Sequence, residues 1–442
     1  MSIPTMPAAD PTVADDRYER LQQRLDRMPT GAPDTPALRR ILRLLFTPEE
    51  AEVAAALPSL VAVDRLAARL GREPADLDAM LTSMAARGLV LDLEHRGRRW
   101  VSLAPVVIGF FEFTFMRVGD DAEVAELAEL FDDYQFTDPE HRFAGAVFRG
   151  SVQVGRSLVR EEALPSSPPT EVLAYDRATT IVGEARSVAV GRCPCRTHAA
   201  LLDRGCDAPV RTCLSFAGAA DALVRAGLAE PIDNAEGLAI LAEAKAAGLA
   251  QTADNVKAGV GYLCNCCGCC CGMMQAIRSA GLHDVIVPSG WVAELDDAAC
   301  RGCRTGCVTA CPAEVIERVE RDGAARPPYR AVLDADRCLG CGVCVTACHF
   351  DALQMVPRER RPYTPDSTLD RMIAMAVERG KLGDLLLDTL DGAGAAAVAR
   401  LLQHLERSSW GTALRAVEPL RSVFLRGLLA VVHVGASRSP VP

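Results

Sequence analysis

The stretch that decides the fold is CLGCGVCVTAC at residues 338–348, in which four cysteines are separated by two, two and three residues. A second run precedes it and ends in Cys311-Pro312. Thiolates are the usual protein ligands of iron–sulfur clusters, and cysteines spaced this closely can point at one cluster. The two runs therefore predict two [4Fe–4S] clusters, and a pair of four-cysteine zinc sites is the alternative.

The region around both runs resembles bacterial-type ferredoxins with two [4Fe–4S] clusters, over residues 291–358. Each run follows a short predicted strand and leads into a short helix, with VAELDDAACRGC and ALQMVP as the outer strands. In that family the fourth cysteine of each run binds the other cluster. The resemblance therefore implies one cluster on Cys300, Cys303, Cys307 and Cys348, and the other on Cys338, Cys341, Cys344 and Cys311.

The sequence departs from the ferredoxin pattern in two places. Three residues separate Cys303 from Cys307, where the family has two, and this lengthens the loop that must wrap the cluster. The type and potential of that cluster are therefore left open. The second run ends in His349 where the family has proline, which changes how the chain leaves the loop.

Ten further cysteines predict an additional metal site. GRCPCR carries two, Cys206 and Cys213 follow, and CNCCGCCC at residues 264–271 carries six, several with the CxxC spacing that chelates metals. Cys206 and Cys213 are left open between a ligand and a small buried residue. We predict one or two extra iron–sulfur sites, with zinc as the alternative. The predicted ligands are Cys193, Cys195, Cys264, Cys266, Cys267, Cys269, Cys270 and Cys271.

The order of these motifs resembles a group of cysteine-rich bacterial ferredoxin-like proteins over residues 175–358, and the resemblance implies no particular reaction. A disulfide framework is a poor interpretation, since disulfides belong to oxidising compartments and residues 1–30 lack the apolar core of a secretory signal. We therefore expect a reducing, cytoplasmic location.

Composition bounds the fold and the partners. The 442 residues are 49% hydrophobic and 5% aromatic, which favours a mostly helical multidomain protein of the α+β class. The net charge of −10 argues against a general nucleic-acid binder, and no apolar run is long enough to span a membrane. The expected domains are a winged helix (35–118), a helical connector and linker (119–170), a helical cysteine-rich domain (171–290), a dicluster ferredoxin domain (291–358) and a helical C-terminal region (366–434).

The first of these domains resembles the helix-turn-helix domains of bacterial regulators. A short helix ends at Gly71, ADLDAMLTSMAARG takes the place of a recognition helix, and LVLDLEHRGRRWVSL reads as a hairpin wing. The recognition position presents Glu73, Asp76 and Asp78, which would repel phosphate. The pattern therefore favours a structural or protein-interaction module over DNA binding.

The functional prediction follows from these sites and from the motifs that the sequence lacks. The sequence contains no dinucleotide, phosphate-loop or flavin fingerprint, so no nucleotide cofactor is evident. Electrons must therefore be exchanged with protein redox partners. His198 is expected at the surface. We predict an iron–sulfur electron-transfer protein, more a carrier than an enzyme. The alternatives are a redox-sensing winged-helix regulator, an iron–sulfur reductase with an open iron, and a metal-handling protein.

Overall fold

The structure is a computed structural model that describes residues 16–117, 122–138, 140, 142–166, 173–279, 281–321, 327–389 and 393–408. Helices and strands are mixed over these residues, which confirms the α+β expectation in its general form. Residues 167–170 of the predicted linker, and the predicted C-terminal helical region beyond residue 408, lie outside the described residues.

The N-terminal region places helices around a small sheet, and one hydrophobic core runs through it from Tyr18 to Val147. Local sequence sets the helix starts: Thr47 and Glu50, for example, form a capping box at the start of the third helix. The elements are α1 (Asp16–Asp26), α2 (Pro36–Leu45), α3 (Pro48–Ala56), β1 (Val61–Ala62), α4 (Val63–Leu70), α5 (Pro74–Ala86), β2 (Val90–His95), β3 (Arg98–Leu103), α6 (Phe111–Met116), α7 (Ala122–Asp132) and α8 (Arg142–Val147).

Strands β2 and β3 form a hairpin, and β1 pairs with the other edge of β3. Arg96 and Gly97 make the two-residue turn with positive φ values, which matches the twist of the paired strands. Two arginines of β3 are paired with acidic residues of the preceding helices: Arg98 with Asp64, and Arg99 with Asp78. The identification of this region as a winged helix remains a prediction.

The central region contains a six-stranded antiparallel sheet, which corrects the prediction of a helical cysteine-rich domain. Two of its helices, Ala217–Arg225 and Asn234–Ala246, pack beside strands. The strand order is β4-β8-β9-β6-β5-β7. The elements are β4 (Gly155–Ser157), α9 (Ala178–Gly183), β5 (Val188–Arg192), α10 (Pro194–Leu201), β6 (Arg211–Phe216), α11 (Ala217–Arg225), β7 (Glu230–Ile232), α12 (Asn234–Ala246), β8 (Ala250–Asp254), β9 (Tyr262–Cys266) and α13 (Gly272–Ser279).

The region with the two cysteine runs is built from two antiparallel strand pairs. The outer strands predicted from VAEL and ALQMVP pair with one another, with Trp291 opposite Pro357. The third cysteine of each run lies in the first turn of a short helix. The elements are β10 (Trp291–Leu295), α14 (Cys307–Ala310), β11 (Ile316–Glu320), β12 (Tyr329–Leu333), α15 (Val343–Thr346) and β13 (Leu353–Pro357), with β10 paired to β13 and β11 to β12.

The last described helices return to the start of the chain. They are α16 (Thr368–Arg379), α17 (Leu382–Thr389) and α18 (Ala393–Arg407). Arg379 donates to the carbonyl of Pro29 at 2.7 Å, and buried Arg24 is paired with Asp388 at 3.0 Å. Among the described residues, no helix has the length and apolar character needed to cross a bilayer.

Candidate metal centres

Each ferredoxin-type cysteine loop is pressed against a strand end, and glycine makes this approach possible. Gly302 and Gly340, each placed between the first two cysteines of its run, have φ values of +60° and +69°. A Cβ atom on Gly302 would lie 2.1 Å from the carbonyl oxygen of Tyr329, and one on Gly340 would lie 2.0 Å from that of Trp291. The two loops are therefore held in equivalent positions, one at β12 and the other at β10.

The thiols of the two runs face one another in two sets of four. Cys307 has Cys348, Cys300 and Cys303 as its electrostatic neighbours, and these four residues are called the Cys300 set. The strongest electrostatic neighbours of Cys344 among the cysteines are Cys341, Cys338 and Cys311, which with it form the Cys338 set, and a small cavity lies between these four side chains. Each set thus takes its fourth thiol from the other run.

Burial and backbone donors shape the environment of both sets. Burial raises the pKa of Cys341 to about 12 and that of Cys307 to about 11, so binding of iron must release protons from these thiols. The N–H of Ala331 donates to the sulfur of Cys300 at 3.3 Å, and the N–H of Gly340 donates to Cys338 at 3.4 Å. Such N–H···S bonds are one determinant of cluster potential.

A third group of thiols lies in the central region. The sulfur atoms of Cys206, Cys267, Cys269 and Cys270, here called the four-thiol group, all lie within 4.8 Å of one another. The pKa of Cys267 is lowered to about 7, because its hydrogen bond from the backbone N–H of Cys270 and the nearby Arg196 outweigh the opposing effect of burial. Burial and the charge of Cys267 raise the pKa of Cys269 to about 11.

The four-thiol group contains one cysteine that the predicted ligand set lacks. Cys206 lies 61 residues before Cys267, and their sulfur atoms are 3.9 Å apart. In the sequence, Cys206 lies in the short segment GCDAP, which is typical of a turn. That segment gives no indication that Cys206 is a metal ligand. The predicted ligand set is therefore divided between two places.

The remaining central cysteines form a second cluster, here called the cavity thiols: Cys193, Cys195, Cys213, Cys264, Cys266 and Cys271. The Cys195 thiol is hydrogen bonded to both Cys193 and Cys271, and Cys271 also contacts Cys266. Cys264 pairs with Cys213, and this hydrogen bond together with burial raises the pKa of Cys264 well above its usual value. Five predicted ligands and the undecided Cys213 thus lie side by side.

Arg196 lies between the four-thiol group and the cavity thiols. Its guanidinium is buried and donates to the carbonyls of Pro209 at 2.8 Å and Asn265 at 2.6 Å, and to the hydroxyl of Thr212 at 3.0 Å. Burial alone would lower the pKa of Arg196, but the negative charges of Cys193 and Cys267 raise it above its usual value. The side chain is therefore a fixed positive charge between the two thiol groups.

The cavity thiols, together with Cys267 of the four-thiol group, line a cavity of about 690 Å³. Its wall is mostly apolar and comes from three parts of the chain: Pro29 and Phe111 in the N-terminal region, Tyr262 in the sheet, and Met375 in α16. Glu112 also reaches this cavity. The residue is half-buried, and the separation of its carboxyl group from bulk water raises the pKa to about 8, against the opposing hydrogen bond from the N–H of Gly109 at 2.8 Å.

His198 corrects the expectation of a surface histidine. The ring is buried, its Nε2 lies 2.9 Å from the carbonyl oxygen of Ala128, and it packs against Phe111 and Phe115 at centroid distances of 5.5 and 5.0 Å. Burial lowers its pKa. His198 therefore connects α10 to α7 as a neutral core residue.

Comparison with known proteins agrees with the geometry of the two cysteine runs. The family described as "4Fe-4S dicluster domain" matches residues 299–352. These residues contain the eight cysteines of the Cys300 and Cys338 sets, whose arrangement suits the clusters. The chain thus contains a 4Fe-4S dicluster domain and uses [4Fe–4S] clusters as cofactors.

Two curated relatives are similar to part of the chain. The formate dehydrogenase-O iron-sulfur subunit of Escherichia coli (strain K12) is 31% identical over 86 residues, which is 19% of this chain and 25% of that subunit. The subunit of the same name from Shigella flexneri matches with the same identity and coverage. The chain spans about a quarter of the length of the curated relatives it matches. No solved structure matches the chain significantly.

Proposed function

We propose that this chain is an iron–sulfur electron-transfer protein that carries electrons between protein redox partners. One [4Fe–4S] cluster is held by the Cys300 set and the other by the Cys338 set. The observation that carries the proposal is the exchange of fourth ligands, since Cys348 neighbours Cys307 and Cys311 neighbours Cys344. When bound, such clusters supply one-electron oxidation and reduction.

The longer first loop is compatible with this assignment. Gly306, which lies in the extra stretch between Cys303 and Cys307, has a φ of +96° and immediately precedes α14. A residue with that backbone angle can absorb the added length in a turn, because glycine has no Cβ to oppose it. The third thiol of the run then remains beside the other three.

The partners are proposed to be proteins. The similarity to an iron-sulfur subunit of formate dehydrogenase-O supports a role beside other redox proteins. Ion pairs neutralise two arginines of the hairpin, Arg98 and Arg99, which supports a protein-interaction or structural role for residues 35–118 rather than DNA binding. We also propose the domain boundaries predicted from the sequence and a reducing, cytoplasmic location for the protein.

The additional cysteine-ligated centre is proposed at the cavity thiols. Cys266 and Cys271 share one hydrophobic core with the Cys300 and Cys338 sets, so a centre at this place adjoins the dicluster domain. Arg196 supplies a positive charge next to it, which offsets the negative charge of several thiolates.

Metal analysis of anaerobically purified protein, followed by an EPR redox titration, tests this function. Eight cluster irons are expected from the dicluster domain and further iron from the cavity thiols. Cys303→Ser and Cys341→Ser should each change the signal of one ferredoxin-type cluster, while Cys206→Ser, as the matched control, should leave both signals in place. If neither Cys303→Ser nor Cys341→Ser changes a signal, the assignment of the two sets is wrong.

A second function, an iron–sulfur reductase, is favoured by the cavity. Its volume of about 690 Å³ is of the size that binds small molecules. Because the pKa of Glu112 is about 8, its carboxyl group carries a proton at neutral pH and can donate it from a carboxyl oxygen to a reduced substrate. The substrate class that fits the apolar wall is an apolar molecule with a reducible group.

The reductase alternative is tested by the kinetics of reoxidation. Small apolar oxidants such as short-chain quinones are added to the dithionite-reduced protein, and cluster absorbance is followed anaerobically. Binding in the cavity predicts a rate that saturates with oxidant concentration and decreases in Glu112→Gln. A rate that stays linear in oxidant and is equal in both proteins indicates surface collision and leaves the carrier function alone.

A further inference from the structure

We infer that the four-thiol group of Cys206, Cys267, Cys269 and Cys270 binds one tetrahedral zinc ion and is separate from every iron–sulfur cluster of this chain. The inference goes beyond the proposed electron transfer and does not depend on it. It replaces the sequence-based preference for iron–sulfur at part of the CNCCGCCC motif with a mononuclear site.

The distances between sulfur atoms carry the inference. Cys206 and Cys267 are 3.9 Å apart, Cys269 and Cys270 are 3.7 Å apart, and all four sulfurs lie within 4.8 Å of one another. Four sulfurs at about 2.3 Å from a central zinc lie about 3.8 Å apart at the corners of a regular tetrahedron. The thiolates of a [4Fe–4S] cluster each bind a different iron atom, so they require wider separation.

The composition of the group also selects the kind of ion. All four donors are thiols, and four thiolates complete a tetrahedron without leaving a position for water or substrate. A closed site of this kind has a structural role. With zinc bound, four thiolates leave a net charge of −2, and the buried guanidinium of Arg196, which contacts Cys267, offsets part of it.

The position of the group indicates what the zinc ion stabilises. It connects the loop after α10, which carries Cys206, to the loop between β9 and α13. That second loop packs on the dicluster domain: a Cβ on Gly268 would lie 3.0 Å from the carbonyl oxygen of Pro312. Arg278 donates to the carbonyl of Gly268 and is also paired with Glu314. Zinc thus fixes the loop between β9 and α13, which lies between the cavity thiols and Pro312.

Zinc and iron are measured in the full-length protein purified anaerobically, for the wild type and three variants. Cys206→Ser should lose the zinc and keep its iron. Cys206→His should retain zinc, since a Cys3His set also binds it. Cys213→Ser, a cavity thiol outside the group, is the matched control and should keep one zinc per chain. Zinc-edge X-ray absorption of the wild type should give four sulfurs at about 2.3 Å.

Several results would overturn the inference. These are a wild type without zinc, a Cys206→Ser variant that keeps its zinc, or a Cys206→Ser variant whose iron decreases by one or by four atoms per chain. Nitrogen or oxygen ligands at the zinc edge would do the same. The retention of zinc by Cys206→His guards against misfolding as the cause of zinc loss. Because the electron-transfer proposal depends on iron at other cysteines, the two ideas can fail separately.

Discussion

Replacement of Gly340 by alanine should be costly for a reason that can be worked out from the structure. The residue has a φ of +69°, and an added Cβ would lie 2.0 Å from the carbonyl oxygen of Trp291 and 2.3 Å from the hydroxyl of Ser289. The left-handed backbone costs an alanine about 1–2 kcal/mol. Overpacking against a fixed carbonyl adds about 1–3 kcal/mol, which gives about 2–5 kcal/mol in total.

Gly71→Ala is the matched control, since Gly71 has a similar φ of +62° but no atom within 4 Å of an added Cβ. We expect Gly71→Ala to lose only the about 1–2 kcal/mol that the left-handed backbone conformation costs an alanine. Gly340→Ala should lower the melting temperature further and release about four irons per chain, because Cys338 and Cys341 lie on either side of the displaced residue. Thermal unfolding and iron content, both measured anaerobically, check this. Equal melting temperatures and full iron in both variants would refute the argument from close approach.

Three further predictions concern charge. The pKa of Glu112 is raised from 4.5 to about 8 in the folded protein. The stabilisation from its protonated carboxyl group is therefore fully present below about pH 4.5 and is lost as the pH rises through 8. At about 1.36 kcal/mol per pH unit the ceiling of this effect is about 5 kcal/mol, and water in the cavity reduces it. Glu112→Gln should therefore melt at the wild-type temperature near pH 4.5 and above it at pH 9; equal melting at both pH values would contradict the raised pKa. Arg196→Lys keeps the positive charge, so redox titration should give unchanged cluster potentials. It loses the several hydrogen bonds of the planar guanidinium group, so the melting temperature should decrease. An unchanged melting temperature would show that the guanidinium hydrogen bonds of Arg196 do not stabilise the protein. The double variant Asp64→Asn/Asp78→Asn frees Arg98 from its ion pair and leaves Arg99 paired with Asp92. It should increase binding to duplex DNA at low salt, measured by fluorescence anisotropy, whereas the wild type should bind negligibly; strong wild-type binding would contradict the neutralised surface.

The dicluster domain is the part that sequence reasoning could predict best, because its information is local. Cysteines two or three residues apart share a loop, and the short apolar stretches beside them are typical of strands. The structure accordingly pairs Trp291–Leu295 with Leu353–Pro357. The family match over residues 299–352 agrees with this interpretation.

The central sheet and the zinc site could not be predicted in the same way. Strand Ala250–Asp254 is buried along its whole length although it contains Gln251, Thr252 and Asp254, so it lacks the alternation that marks a half-buried strand. The side-chain Nε2 of Gln251 donates to the Oδ1 of Asn265 at 3.0 Å, a partner that only the folded sheet provides. Cys206 likewise joins Cys267 across 61 residues of chain, and no spacing rule indicates that contact.

The contact between the last described helices and α1 has a consequence for synthesis of the protein. Arg24 reaches Asp388 only after 364 further residues have been made, which takes about 20–70 s at about 5–20 residues per second. Until then Arg24 lacks this carboxylate partner. The cavity lined by Pro29, Cys195 and Met375 is also incomplete, since its last wall is still in the ribosome. The nascent cysteines therefore emerge into an unfinished shell, and metal delivery to the cavity thiols can precede its closure.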